Sequence, residues 1–270
     1  MIINIDYRFA TDLPAQELSA HPASVSFPGE VTGGRSTFGV DVLASYNGRD
    51  SNYSYSDAGL DVWRSTGLYV PPGEVVTVHL SQDLVDKNIS LLVGSHSDTL
   101  WHLKQIHRHP SITRSWEVSD TRLEIGSVFG GLLYVRIPAG VEVGWTHIEI
   151  EGAVAAPRYV HGETTLADWQ VTERLREAPW AEIGSEKFIM TVPSESIRDL
   201  EDPSLLMNFW DQVLDANAWL EGSDPDTRTR PERFVLDTQI SAGYMHSGYP
   251  LMGPIDASDF FVNLDTLQAQ

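Results

Sequence analysis

The hydrophobic pattern of this 270-residue chain changes character once, at residues 157–162, and that change limits the folds open to it. Before it, short apolar runs at 75–80, 89–94, 112–118, 132–137 and 143–151 are separated by Pro71-Pro72-Gly73, Gly130-Gly131 and Pro138-Ala139-Gly140. Runs of strand length divided by turn residues predict an antiparallel β-sandwich. Within the last run His147-Ile148-Glu149-Ile150-Glu151 alternates polar and apolar, the signature of a strand with one wet face. Residues 1–60, rich in Gly, Ser, Asn and Tyr, are expected to form only short edge strands and turns.

After the change the period is helical. Thr165, followed three residues later by Asp168, caps a predicted helix through Leu166, Trp169 and Leu175. Residues 188–192 are a strand closed by Pro193. A longer helix is bracketed by Asp202 as N-cap, Pro203 in the first turn and Gly222 as the stop, with Leu206, Phe209, Trp210, Val213 and Leu214 on one face. An apolar strand at 233–240 leads into a loop containing two glycines. The expected fold is α+β: an antiparallel β-sandwich over 1–160, then the first part of a mixed α/β domain over 161–270, each with its own core.

Eighteen Lys and Arg against 38 Asp and Glu give a net charge of −20, which repels nucleic acid and anionic lipid surfaces. No segment approaches the roughly 18 consecutive apolar residues that span a bilayer, so membrane insertion is not expected. With no Cys, any metal must be held by His and carboxylate. The first residues lack the pattern of a signal peptide, and both ends are read as cuts through a longer protein.

Four segments in order carry a family resemblance: Arg64-Ser-Thr-Gly-Leu-Tyr-Val-Pro-Pro-Gly-Glu74, Gly130-Gly-Leu-Leu-Tyr134, Ala178-Pro-Trp-Ala-Glu182 with Met190-Thr-Val-Pro193, and residues 237–250 with their Tyr244-Met-His-Ser-Gly-Tyr-Pro250 string. Together they resemble the N-terminal β-domain and the opening of the catalytic domain of the enhancin-like, mucin-targeting zinc metallopeptidases. The resemblance implies a zinc endopeptidase domain in the intact protein, a glycoprotein or mucin-type glycopeptide substrate, and a secreted, extracellular location. Such enzymes hold zinc on a His-Glu-x-x-His helix, where His at i and i+4 share a face. This chain has no such string, and His161-Gly-Glu163 has the wrong spacing. The family motif follows shortly after the Tyr-Met-His-Ser-Gly-Tyr-Pro segment, so the expectation is a fragment that ends before it. The fragment by itself should hold no zinc and cleave nothing.

Two rival readings go with the same residues. One is a non-catalytic relative acting as an interaction protein, as in the animal channel-associated factors that share this domain pair. The other is a glycan-binding β-sandwich presenting Trp63, Trp101, Trp116 or Trp145, against which stands the plainer reading of these rings as core.

The candidate substrate-binding residues are Tyr244, His246 and Tyr249. Gly243 and Gly248 free the backbone to present them from a loop based on the strand before it. His102, His107 and His109 are spaced five and two apart, which fits no helical metal site and places them in a solvated loop or at a strand edge. Glu182 could be a general base, but with no partner near it in sequence it is read as a surface or capping residue.

Overall fold

The structure, a computed structural model, describes residues 10–48 and 59–269. Strands β1 (Ser36–Tyr46), β2 (Val62–Val70), β3 (Val76–His79), β4 (Ser90–Val93), β5 (Arg114–Glu117), β6 (Arg122–Ile125), β7 (Gly131–Ile137) and β8 (Val141–Ala155) form one antiparallel sheet bent into two leaves. Strand β8 makes the bend. It pairs with β1 and β3 along most of its length, then passes to β2 through Leu68 opposite Ala155 and Tyr69 opposite Val154. Val42, Val78, Ile148 and Ile150 of one leaf meet Leu91, Val93, Leu133 and Val135 of the other in a dry core. The sequence alternation in β8 is realised, with Ile148 and Ile150 buried and His147, Glu149 and Glu151 exposed.

The first 60 residues depart from expectation. Of those described, 36–46 form an 11-residue strand that spans the sandwich rather than a short edge piece. Its inward row of Val40, Val42, Ala44 and Tyr46 alternates with Gly39, Asp41, Leu43 and Ser45, a period of two that a reading by Gly, Ser, Asn and Tyr content passes over. A Cβ at Gly39 would stand 2.6 Å from the His147 ring lying across it, so a larger residue there would push that exposed ring aside. Residues 1–9 and 49–58 lie outside the described structure.

A second, mixed sheet is ordered β13-β12-β11-β10-β9, from β9 (Arg158–Val160), β10 (Trp180–Gly184), β11 (Phe188–Pro193), β12 (Glu232–Asp237) and β13 (Leu251–Pro254). Only β10 and β11 are antiparallel; the other neighbours run parallel. A parallel β11–β12 pair needs a crossover, and helix α2 (Pro203–Glu221) supplies it. Its ends are where the sequence places them: the Asp202 carboxylate accepts from Ser204 N–H at 2.8 Å, and Gly222 adopts φ 77°. Its buried face carries Leu206, Met207 and Leu214, while Trp210 stacks on Phe188 at 4.8 Å. Helix α1 (Leu166–Val171) starts at Thr165 as expected but stops early, and a 3-10 turn covers Glu173–Leu175. Helices α3 (Ser258–Val262) and α4 (Leu264–Gln268) end the described chain.

Besides the sandwich's own core, a second apolar cluster spans the boundary between the two parts. Trp63, Tyr69, Tyr134 and Val154 of the sandwich belong to the same apolar cluster as Trp180, Ile183, Met190 and Phe234 of the second sheet. At the centre of this shared layer Arg233 Nη1 donates to Glu182 Oε1 at 2.5 Å, and Nη2 donates to the Trp63 carbonyl at 3.0 Å and Ser65 Oγ at 2.6 Å. Tyr134 O–H donates to the same Glu182 oxygen at 3.1 Å. Glu182 is therefore a buried ion-pair partner, which corrects its reading as a surface or capping residue; the residues that enclose it are about 50 positions away in sequence. Burial opposes the Arg233 charge, but the Glu182 carboxylate beside it outweighs that and holds its pKa above the ordinary value.

Removing one member of a buried pair strands the other, at a cost of about 3–5 kcal/mol. Glu182→Gln should lower stability by that order in urea unfolding. The wild-type transition should also coincide by far-UV circular dichroism and tryptophan fluorescence, because a shared apolar layer and the Arg233 hydrogen bonds couple the two sheets. Two separated transitions would show that the sheets unfold independently.

Candidate recognition site

Strand β12 ends at Asp237, three residues short of the sequence reading, because the Asp237 side chain turns the chain. Its Oδ1 accepts from Gln239 N–H at 3.0 Å, which starts a side-chain-mediated turn. The same carboxylate is held from the sandwich side. Residues 94–113, which join β4 to β5, bring Arg108 onto it through Nε at 2.8 Å and Nη2 at 2.7 Å. Both side chains are fully buried. A planar guanidinium facing a carboxylate fixes direction as well as distance.

Around this pair the two loops are sewn together. Asp98 Oδ2 accepts from Ser241 N–H at 2.6 Å and lies 2.8 Å from His246 Nε2. His107 N–H donates to Gln239 Oε1 at 2.6 Å, Gln239 Nε2 donates to the Gln105 carbonyl at 2.9 Å, and His102 Nε2 stands 2.9 Å from the Ser241 carbonyl. His246 and Met252 exchange backbone hydrogen bonds at 3.1 Å. The loop after β12 is thus pinned at its base and along its length, and its tip carries Tyr244, 67% exposed, and Met245, 50% exposed.

The three candidate residues occupy different settings. Tyr244 points to solvent. His246 is half-buried and clamped. Tyr249 is 7% exposed, with its ring 5.8 Å from Trp63 and the Arg230 guanidinium 4.0 Å above it. Outward presentation is therefore right for Tyr244 and wrong for Tyr249, which packs into the shared core. Under the loop lies an apolar hollow of about 380 Å³, lined by Phe188, Trp210, Phe234, Met245, His246 and Phe261 among others. A larger hollow of about 710 Å³ lies by Asp199, Asp202 and Asp265 and includes none of the loop residues.

The His102, His107 and His109 string lies in the 94–113 loop, and its imidazoles do not converge: His109 packs on Phe129 at 4.8 Å while His102 reaches Ser241. Trp63 is core and Trp116 is half-buried, donating Nε1–H to the Gly126 carbonyl. Trp101 and Trp145 are exposed, the latter by 72%, so the core reading fails for those two. Sequence reasoning missed Asp98, Arg108 and Asp237, whose roles exist only once the two loops meet; a lone Arg inside a His-rich string was the one available signal.

Both ring nitrogens of His246 face acceptors, Asp98 Oδ2 and the Ser247 carbonyl at 2.9 Å, so the ring donates on both sides when protonated. Burial lowers the pKa of His246, but the Ser247 and Asp98 hydrogen bonds and the Asp98 charge outweigh it and raise it above the usual imidazole value. Nearby His96, stacked edge-on to Trp180 at 4.2 Å, goes the other way: burial pushes its pKa down to about 4.

Comparison with known proteins gives this arrangement its context. The family described as "Peptidase M60, enhancin and enhancin-like" matches residues 152–269, and the "N-terminal domain of M60-like peptidases" matches 52–151. The chain belongs to the enhancin-like M60 metallopeptidase family. Among curated relatives, TRPM8 channel-associated factor 2 of Bos taurus is 41% identical over 192 residues, and a TRPM8 channel-associated factor homolog of Xenopus laevis is 36% identical over 213. Those alignments cover 71% and 79% of this chain but 21% and 23% of the relatives, so the chain spans less than a quarter of their length. Among solved structures, a functionally unknown conserved protein from Bacillus anthracis str. Ames superposes with TM-score 0.65 at 19% identity, covering 85% of this chain and 48% of that one. IMPa from Pseudomonas aeruginosa, in complex with an O-glycopeptide, gives 0.57 at 18%, covering 87% and 29%. At these identities the structural likeness shows the fold.

The residues at this loop do not fit a metallopeptidase ligand set. The one imidazole on it is engaged at both nitrogens, and the Asp237 carboxylate is consumed by Arg108.

A His whose folded pKa is raised contributes stability below its unfolded pKa and loses that contribution as pH rises through the folded value. The His246 clip should therefore be tightest at mildly acid pH and slacken as the ring deprotonates. In an NMR titration, Asp98→Asn should move the His246 pKa downward. An unchanged titration would show that Asp98 does not hold the ring.

Proposed function

We propose that the loops at 94–113 and 238–250 form the recognition wall of an enhancin-like metallopeptidase-type protein that takes an extended, glycosylated protein segment, and that this chain contributes binding rather than bond cleavage. The observation that carries the reading is the exposed Tyr244 and Met245 at the tip of a loop clamped through Asp98 and Asp237. A loop already fixed in one conformation spends little entropy on binding, and a tyrosine offers a flat apolar face with a polar tip suited to sugar and peptide alike. The bound O-glycopeptide of IMPa, a protein of the same fold, supports a ligand of that class. The zinc and general base implied by the family resemblance have no ligand set at this loop, so no hydrolytic step is assigned to these residues. A mucin-type substrate and an extracellular location belong to this same reading of the whole protein.

A second reading has its own support in the 41% identity to a TRPM8 channel-associated factor: the whole protein would act as an interaction partner of a membrane channel, without cleavage. Incubating the whole protein with an O-glycosylated peptide separates the two, since release of cleaved peptide belongs to the first only.

With the 270-residue chain, a fluorescently labelled O-glycopeptide should bind more tightly than its unglycosylated form. Tyr244→Ala should weaken that binding by about ten-fold, the loss expected of one anchoring contact of about 1.4 kcal/mol. Equal affinity for both peptides, or full affinity in the variant, would remove the loop from recognition.

A further inference from the structure

The outer face of the leaf made by β1, β8, β3 and β6 carries a group that sequence spacing could not reveal. Strands β3 and β8 run antiparallel with His79 opposite Glu149 and Thr77 opposite Glu151. Residues two apart on a strand share a face, and opposed residues stand with Cβ atoms about 4.5–5.5 Å apart. The backbone register alone therefore brings His79, Glu149 and Glu151 into one patch. One ligand atom from each lies within 4.8 Å of the other two, and no other group of three potential ligands this close occurs among the described residues.

His79 Nε2 and Glu151 Oε1 are 3.1 Å apart. In a tetrahedral site with bonds of about 2.0–2.2 Å, neighbouring ligand atoms are about 3.3–3.6 Å apart, so this ion-paired couple needs to open only by a few tenths of an ångström to admit an ion. Arg122, opposite His79 on β6, does not fill the patch with its charge, because its Nη2 donates to Glu124 at 2.7 Å. One step along β8, His147 is likewise occupied by Asp41 at 2.7 Å. Glu149 and Glu151 thus set two like charges side by side with a single imidazole between them, on a protein of net charge −20.

We propose that His79, Glu149 and Glu151 form a surface zinc site on the sandwich. Two carboxylates balance the ion's double charge. The imidazole nitrogen favours zinc over calcium or magnesium, which take oxygen ligands. Water completes the shell, leaving a position open to a donor from a bound molecule. The site is separate from any peptidase zinc, since its ligands lie on two strands of the β-sandwich rather than at i and i+4 of one helix. It also departs from the expectation that this chain holds no zinc, an expectation formed from spacing along the sequence, in which His79 and Glu151 are 72 positions apart.

The test uses the 270-residue chain stripped with chelator and titrated with zinc chloride in a calorimeter. One zinc per chain is expected, with a rise in melting temperature on zinc addition, since an ion that binds only the folded state stabilises it. His79→Ala and Glu149→Gln should each weaken zinc binding at least about ten-fold, the lower end of what even a supporting shell contributes. Neither should change the melting temperature without zinc, because both side chains leave the core untouched. Calcium and magnesium at equal concentration should not displace zinc. Absence of stoichiometric binding, binding that survives both substitutions, or displacement by calcium would each overturn the assignment.

Discussion

A guanidinium stripped of water must find a carboxylate within reach, and Arg233 finds Glu182 on the same sheet, on the side that meets the sandwich. Arg233 lies on β12 and Glu182 on β10, while the remaining partners, Tyr134, Trp63 and Ser65, come from the sandwich. The bonds to Tyr134, Trp63 and Ser65 are satisfied only when both sheets are in place. The pair therefore acts less as a source of net stability than as a gauge of register, since a misplaced sheet would leave its remaining buried donors and acceptors unanswered. The aromatic and aliphatic residues around it supply the burial, and the ion pair fixes where that burial occurs.

The site inherits this register. Because β12 is fixed against the sandwich, its end at Asp237 meets the 94–113 loop at Arg108, and the carboxylate that ends the strand also begins the turn into the loop. Asp98 repeats the device one step outward, holding Ser241 and His246 with a single carboxylate oxygen. The exposed tip thus stands on three successive polar anchors, each contributed across the seam. The proposed recognition surface belongs to neither sheet alone, in keeping with matches to an M60-like N-terminal domain and to the peptidase region that follow one another along the chain.

Much of the fold was legible where physics is local. Asp202, Pro203 and Gly222 mark both ends of α2 because capping is decided within a turn, and the alternation in β8 is visible because its polar residues face water without interruption. Legibility failed where partners are distant. The outward Gly39 and Asp41 of β1 read as turn residues until the His147 ring of β8, which lies over one and pairs with the other, is in place. Glu182 looked isolated because Arg233 and Tyr134 are each about 50 residues away. Tyr244 and Tyr249 are indistinguishable as letters in a glycine-flanked loop, yet Trp63 and Arg230 draw one inward and leave the other in solvent. The family resemblance identified the segment around them but not which rings it exposes.

The central claim is that a loop of the sandwich holds the recognition loop of the second sheet in one conformation. Hydrogen–deuterium exchange measured on peptides covering 238–248, in wild type and in Arg108→Met, tests it most directly. The account predicts protected amides at Gln239 and Ser241 in the wild type. In the variant that protection should fall sharply, while α2 and β8 keep theirs. If residues 238–248 exchange at the same rate in both proteins, the loop is held by its own sheet and the seam does not position the site.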